Sequence, residues 1–155
     1  TASGDKASGL PVGAQGFTLI PGMGYNFSTQ DETGLLTAID FPANVFNSEI
    51  LVSYIPGLAG MPPTTGTYFA NRAFSLVPAD KNMEPMLPFN ITLEYGKDIA
   101  SNADANNLAL YWWNGQDWQD ATGTCDPASS YERTPETNRI SVAVCKMGSY
   151  VLMVP

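Results

Sequence analysis

Short runs of alternating apolar and polar residues recur along this chain, and each is cut off by glycine, proline, asparagine or aspartate. Phe17-Thr18-Leu19-Ile20 stops at Pro21-Gly22, and Tyr25 to Ser28 follows. Leu35 to Phe41 stops at Pro42, Glu49 to Ile55 at Pro56-Gly57, and Tyr68 to Val77 at Pro78. Phe89 to Tyr95 alternates cleanly up to Gly96. Leu108 to Trp113, Arg139 to Val144 and Ser149 to Val154 complete the series. A period of two places successive side chains on opposite faces of a strand. No segment keeps a helical period long enough for a stable helix, and 98–107 is expected to hold a turn at most. Proline at position 21 ends any long helix that GFTLI would start. The pattern predicts an all-β fold: an immunoglobulin-like antiparallel β-sandwich.

The first sixteen positions are rich in glycine, alanine and serine and read as an extended segment. Regular alternation begins near Gly34. The expected division is therefore an N-terminal arm over 1–33 and a sandwich over 34–155. A strand at the edge of a sheet leaves N–H and C=O groups unpaired, and an extended arm can supply the missing partner. Phe17, Leu19 and Tyr25 are the arm's candidates for filling pockets on a neighbour.

The stretch LALYWWNGQDWQDATGTC, Leu108 to Cys125, contains all three tryptophans. Asn114-Gly115 signals a hairpin, because a type I′ turn needs positive φ at both central residues. A two-residue loop sets Tyr111 opposite Trp118, and a four-residue loop sets Trp113 opposite Trp118. Both registers give one partition. Leu108, Leu110 and Trp112 face the core. Tyr111, Trp113 and Trp118 share the other face, as a cluster under the protein's own loops, a subunit contact or a sugar-stacking platform.

Composition narrows the function classes. The chain has 155 residues, which suits one domain with a real core. Seven Lys+Arg against fifteen Asp+Glu give a net charge of −8, so nucleic acid and anionic membranes are poor partners. No apolar run is long enough for a membrane span. Thr1-Ala2-Ser3-Gly4 in place of an initiator Met suits a processed exported protein or a trimmed one. In an exported protein Cys125 and Cys145 would form a disulfide; two buried thiols are the alternative. Asn26-Phe27-Ser28 and Asn90-Ile91-Thr92 match the glycosylation sequon.

Candidate chemistry is sparse. Histidine is absent, which removes triad mechanisms and the commonest zinc ligand. Asn102, Asp104 and Asn106 resemble the start of a calcium loop. Asn107 stands where that loop needs glycine and Trp113 where it needs glutamate, so a plain polar loop is expected. Asp117, Asp120 and Asp126 read as a solvated acidic rim. Lys6, Lys81, Lys97 and Lys146 are the chain's lysines, and sequence does not place any of them beside isopeptide partners. No catalytic residue, metal or cofactor is expected.

Taken in order, GLLTAIDFPANVFNSEILVSYIP, NRAFSLVPAD, FNITLEY, LALYWWNGQDWQDATGTC and NRISVAVCKMGSYVLM resemble a ZU5-like β-sandwich domain of secreted bacterial surface proteins. The resemblance runs from about Gly34 to Val154 and rests on order and spacing. It implies a structural or adhesive role outside the cell and brings no catalytic residues with it. The expected function is thus an extracellular, self-assembling subunit of a filament, pilus or layer, whose partners are copies of itself joined by strand addition. The alternative is a glycan-binding or adhesion module that takes a cell-surface polymer on Tyr111, Trp113 and Trp118.

Overall fold

Each alternating run becomes a strand in the computed structural model, which describes residues 13–58, 62–97, 99 and 106–154. In chain order these are β1 (Gln15–Leu19), β2 (Tyr25–Gln30), β3 (Leu36–Phe41), β4 (Ile50–Pro56), β5 (Thr67–Pro78), β6 (Phe89–Glu94), β7 (Ala109–Trp113), β8 (Trp118–Asp120), β9 (Tyr131–Thr134), β10 (Arg139–Val144) and β11 (Gly148–Val154). Short 3-10 turns at Ala121–Thr124 and Pro135–Thr137 flank β9. Among the described residues no helix is long and apolar enough to cross a membrane.

All pairings are antiparallel. One sheet has the order β1-β4-β5-β11-β7-β8 and the other β2-β3-β6-β10-β9. Their inner faces pack into a sandwich-like arrangement. From the first sheet come Val52, Tyr54, Phe74, Leu76, Leu110, Tyr150 and Leu152, and from the second Phe27, Ile39, Phe41, Ile91, Leu93 and Val142, all buried. Rings stack through this core: Tyr54 on Phe74, Phe74 on Tyr150, and Phe41 on Phe89. Each fully buried large side chain contributes roughly 1.5–3 kcal/mol relative to exposure.

The N-terminal arm expected over 1–33 divides. Residues 1–12 lie outside the described residues. Residues 15–30 supply one strand to each sheet: β1 pairs with β4, and β2 pairs with β3. Phe17 and Leu19 point inward and are buried, while Tyr25 stays exposed. Alternation is the reason, since Phe17 and Leu19 are two apart and fall on one face.

Strand β5 carries an irregularity. Val151 pairs with Ala73, and the next residue, Leu152, pairs with Phe69. Ala70, Asn71 and Arg72 therefore have no partner on β11. Such bulges bend a strand and re-aim a side chain. Here Arg72 turns between the sheets and reaches β3, where its Nη2 donates to Leu36 O (2.8 Å) and Thr37 Oγ1 (2.9 Å).

Candidate functional site

Two concave places stand out, one at the tryptophan hairpin and one at the end of the sandwich beside Arg72. The hairpin has the longer of the two expected loops, and Trp113 lies opposite Trp118. Asn114 N–H donates to Asp117 O (3.0 Å). The Asn114 side-chain oxygen accepts from the Gln116 and Asp117 N–H groups (2.9 and 2.8 Å). Gly115 alone in the loop takes a positive φ, 100°. Asparagine here closes the turn through its side chain instead of through a left-handed backbone.

The expected partition of faces is present. Leu108 and Leu110 are buried, and Trp112 packs against the core with its indole N–H donating to Met147 O (3.0 Å). Tyr111, Trp113 and Trp118 line a groove of about 340 Å³ whose other wall is Pro62, Pro63, Thr64 and Thr65. All three aromatics are half-buried. The Trp113 and Trp118 rings lie 5.3 Å apart and are tilted by 53°. A stacked sugar needs a flat, open ring surface. This geometry is a tilted cleft between the hairpin and the Pro62–Thr65 segment.

The acids near the hairpin separate into different roles. Asp117 and Asp126 are exposed. Asp120 is half-buried and held: its Oδ1 accepts from the Thr122 N–H (3.0 Å) and hydroxyl (2.9 Å), and it meets the Tyr131 hydroxyl. It caps the 3-10 turn that follows β8. The expectation of a solvated rim is therefore corrected at Asp120. Tyr131 also bonds the Leu110 backbone, tying β9 of one sheet to β7 of the other. Burial raises the Tyr131 phenol far above its ordinary value, and the Asp120 carboxylate adds to this.

Cys125 and Cys145 form the expected disulfide, with Cα atoms 5.1 Å apart. It joins the turn after β8 to the end of β10, and so one sheet to the other. Asn26 and Asn90 are exposed on the outer face of the second sheet. Lys146 pairs with Glu84 at the surface (3.1 Å). Of the calcium-like segment, Asn102 and Asp104 lie outside the described residues.

Sequence reasoning passed over the second place. A cavity of about 470 Å³ opens at the end of the sandwich, bounded by Gly13 and Gln15, the β2–β3 turn, the end of β4 and the bulge of β5. Arg72 lines it and is only 3% exposed. Its Nη1 lies 3.7 Å from Asp31 Oδ2, an ion pair beyond hydrogen-bond length. Its buried Nε has no hydrogen-bond partner among the described residues. Burial lowers the guanidinium from its ordinary value, opposed by Tyr54, Asp31 and Glu94; an arginine stays charged at neutral pH regardless. A signal was present in the sequence: a lone arginine inside the apolar run Tyr68 to Val77.

The carboxylates facing Arg72 make stability depend on pH. Burial pushes Asp31 up, but bonds from the Thr33 hydroxyl and the Leu35 and Thr33 N–H groups, with the charge of Arg72, hold it below its ordinary value. Glu94 is lowered by the Leu36 N–H and by Arg139. A carboxyl lowered on folding stabilises the fold above its unfolded pKa, and that stability fades as pH falls through the folded value. The urea midpoint should stay level from neutral pH to about 5 and drop below about 4, with a shallower drop in Asp31→Asn. Equal midpoints at about pH 3 and 6 would contradict this.

The sequence matches no protein-family model, and no curated protein matches it at a significant level.

Proposed function

We propose that this chain is an extracellular structural protein that assembles with copies of itself by exchanging β1. The reading is carried by the position of β1. It is the edge strand of its sheet, laddered with β4 on one side, yet it places Phe17 and Leu19 in the core. Phe17 stacks on Tyr25 and Phe27 and packs against Phe41. A strand that buries a plug and is held along one edge makes the same contacts when a neighbour supplies it.

The link to β2 is a natural hinge. Met23 N–H donates to Ile20 O (3.1 Å), and Gly22, at φ 84°, is fixed by a bond from its N–H to Asn44 Oδ1 (2.7 Å). Straightening this turn would carry β1 away, and the β4 pairing and ring contacts that it leaves behind would be remade by a neighbour's β1. Ile20 and Met23 beside it are exposed apolar residues that a neighbour would cover. The Cys125–Cys145 disulfide and the low proportion of charged residues, 14%, favour a role outside the cell. The order of alternating segments supports placing the sandwich among ZU5-like surface domains.

Electron microscopy of the purified protein tests the proposal. The unaltered chain should give multi-subunit particles or filaments, and a variant with a weakened β1 plug should not. Dispersed single-sandwich particles from the unaltered chain at high concentration would sink it. Glycan binding on Tyr111, Trp113 and Trp118 is the second reading, favoured by the open cleft beside Pro62–Thr65. It stands below the first because the two indoles are tilted against each other.

A further inference from the structure

We propose that β2 is a second interaction surface, which pairs antiparallel with β2 of another copy about a twofold axis at Ser28. The two sheets end in four edge strands: β1 and β8 in one, β2 and β9 in the other. Proteins keep exposed edges from pairing by making them short, by placing charges on them or pointing charges inward, and with proline. Strand β8 has three residues and runs straight into the 3-10 turn capped by Asp120. Strand β9 has four, carries Glu132 and Arg133, and stops at Pro135. Arg133 also turns toward the other sheet, where its Nε and Nη2 donate to Leu108 O (3.2 and 2.8 Å).

Strand β2 has none of these guards. Its six residues, Tyr25-Asn26-Phe27-Ser28-Thr29-Gln30, include no charge and no proline. It is laddered with β3 on one side, and no other described strand reaches it. Tyr25, Asn26, Ser28 and Gln30 are exposed. The edge is therefore a template for another extended segment.

Charge and symmetry select a second copy, and select the antiparallel direction. The acids Asp31 and Glu32 follow β2 at one end, while the turn before it, Gly22-Met23-Gly24, is uncharged. Parallel pairing of two copies would set both acidic turns side by side. Antiparallel pairing sets the acidic turn of each copy beside the neutral turn of the other. A twofold axis normal to the sheet keeps both inner faces on the same side, so side chains meet only others of the same face. With Ser28 on the axis, Ser28 meets its own counterpart on the outer face, and Asn26 meets Gln30, amide against amide. On the inner face Phe27 meets Thr29, an aromatic beside a β-branched residue, which is a favourable cross-strand pair. Asp31 then lies opposite the uncharged Tyr25. Two five-stranded sheets become one continuous sheet. The pairing goes beyond exchange of β1 and does not rest on it, because β2 follows the hinge and stays in its own sandwich in either arrangement.

The test uses the full chain with single cysteines, mild oxidation and non-reducing gel electrophoresis. Residues directly opposite on paired strands have Cβ atoms roughly 5 Å apart, close to disulfide reach. Ser28→Cys alone should give a covalent dimer as the main product. Asn26→Cys mixed with Gln30→Cys should give a dimer of one chain of each kind. Glu132→Cys, exposed on the opposite edge of the same sheet, should give no more than a trace. In the Ser28→Cys dimer, amide exchange over 25–30 should slow by about tenfold relative to the reduced chain, as a new ladder protects the free edge. A link made by chance collision leaves exchange unchanged. No dimer from Ser28→Cys, an equal yield from Glu132→Cys, or unslowed exchange would each overturn the proposal. So would protection of 25–30 in the unaltered chain without a Ser28→Cys dimer, since another segment would then fill the edge. Exchange of β1 is read by residues on β1 and β4, so failure of one joint is seen apart from failure of the other.

Discussion

Phe17→Ala should lower the stability of the isolated sandwich by about 3–5 kcal/mol and abolish assembly at the same time. The side chain is 6% exposed and touches three rings, Tyr25, Phe27 and Phe41. Removing it leaves a ring-sized void between the sheets, which the stacked neighbours close only in part. For a chain of this length the loss corresponds to roughly 10 °C in Tm. Scanning calorimetry gives the first quantity and electron microscopy the second. Thr18→Ala is the control: Thr18 lies on the same strand but faces solvent. It should leave both quantities unchanged within error. Assembly that survives Phe17→Ala at full strength would show that β1 is not the joint.

Breaking the disulfide should have the next largest effect. Cys125 and Cys145 are 20 positions apart. Closing a loop of about that length stabilises by roughly 3 kcal/mol on the chain-entropy account. The loss should fall on one region. Thr124 Oγ1 donates to Ala121 O (2.7 Å) and accepts from Cys145 N–H (3.0 Å), and the Ser129 hydroxyl donates to Ala143 O (2.6 Å). These bonds depend on the same closure. In Cys125→Ser/Cys145→Ser the urea midpoint should drop accordingly. Amide exchange should quicken in the 121–131 segment and in β8 before it does in β3 or β6. An unchanged midpoint would mean that the hydrogen bonds hold the loop without the covalent link.

Most of the sheet structure was legible because period-two alternation is a local signal. Leu35–Phe41, Glu49–Ile55, Phe89–Tyr95 and Leu108–Trp113 became β3, β4, β6 and β7 with ends shifted by a residue. Strand β9 was missed: Tyr131–Thr134 is short, lies at an edge and contains Glu132 and Arg133. The fate of β1 was only half legible. Phe17 and Leu19 marked an inward-facing strand, but their glycine-rich surroundings suggested a free arm. Nothing local says which sheet edge receives a strand, or from which copy. The Arg72 cavity was not legible as a site, since it depends on a bulge set by pairing across a gap of about eighty positions. A lone arginine within an apolar run was the only trace of it.

The central claim is that β1 is given to a neighbour. Thr18 on β1 lies opposite Leu51 on β4, and both are exposed. The most direct measurement mixes two proteins, Thr18→Cys and Leu51→Cys, under mild oxidation and analyses the products by non-reducing gel electrophoresis. If β1 is exchanged, the mixture gives a covalent species containing one chain of each kind, and the double variant gives ladders. If each molecule keeps its own β1, the mixture gives no mixed species and the double variant closes only within single chains. That second result would contradict the account.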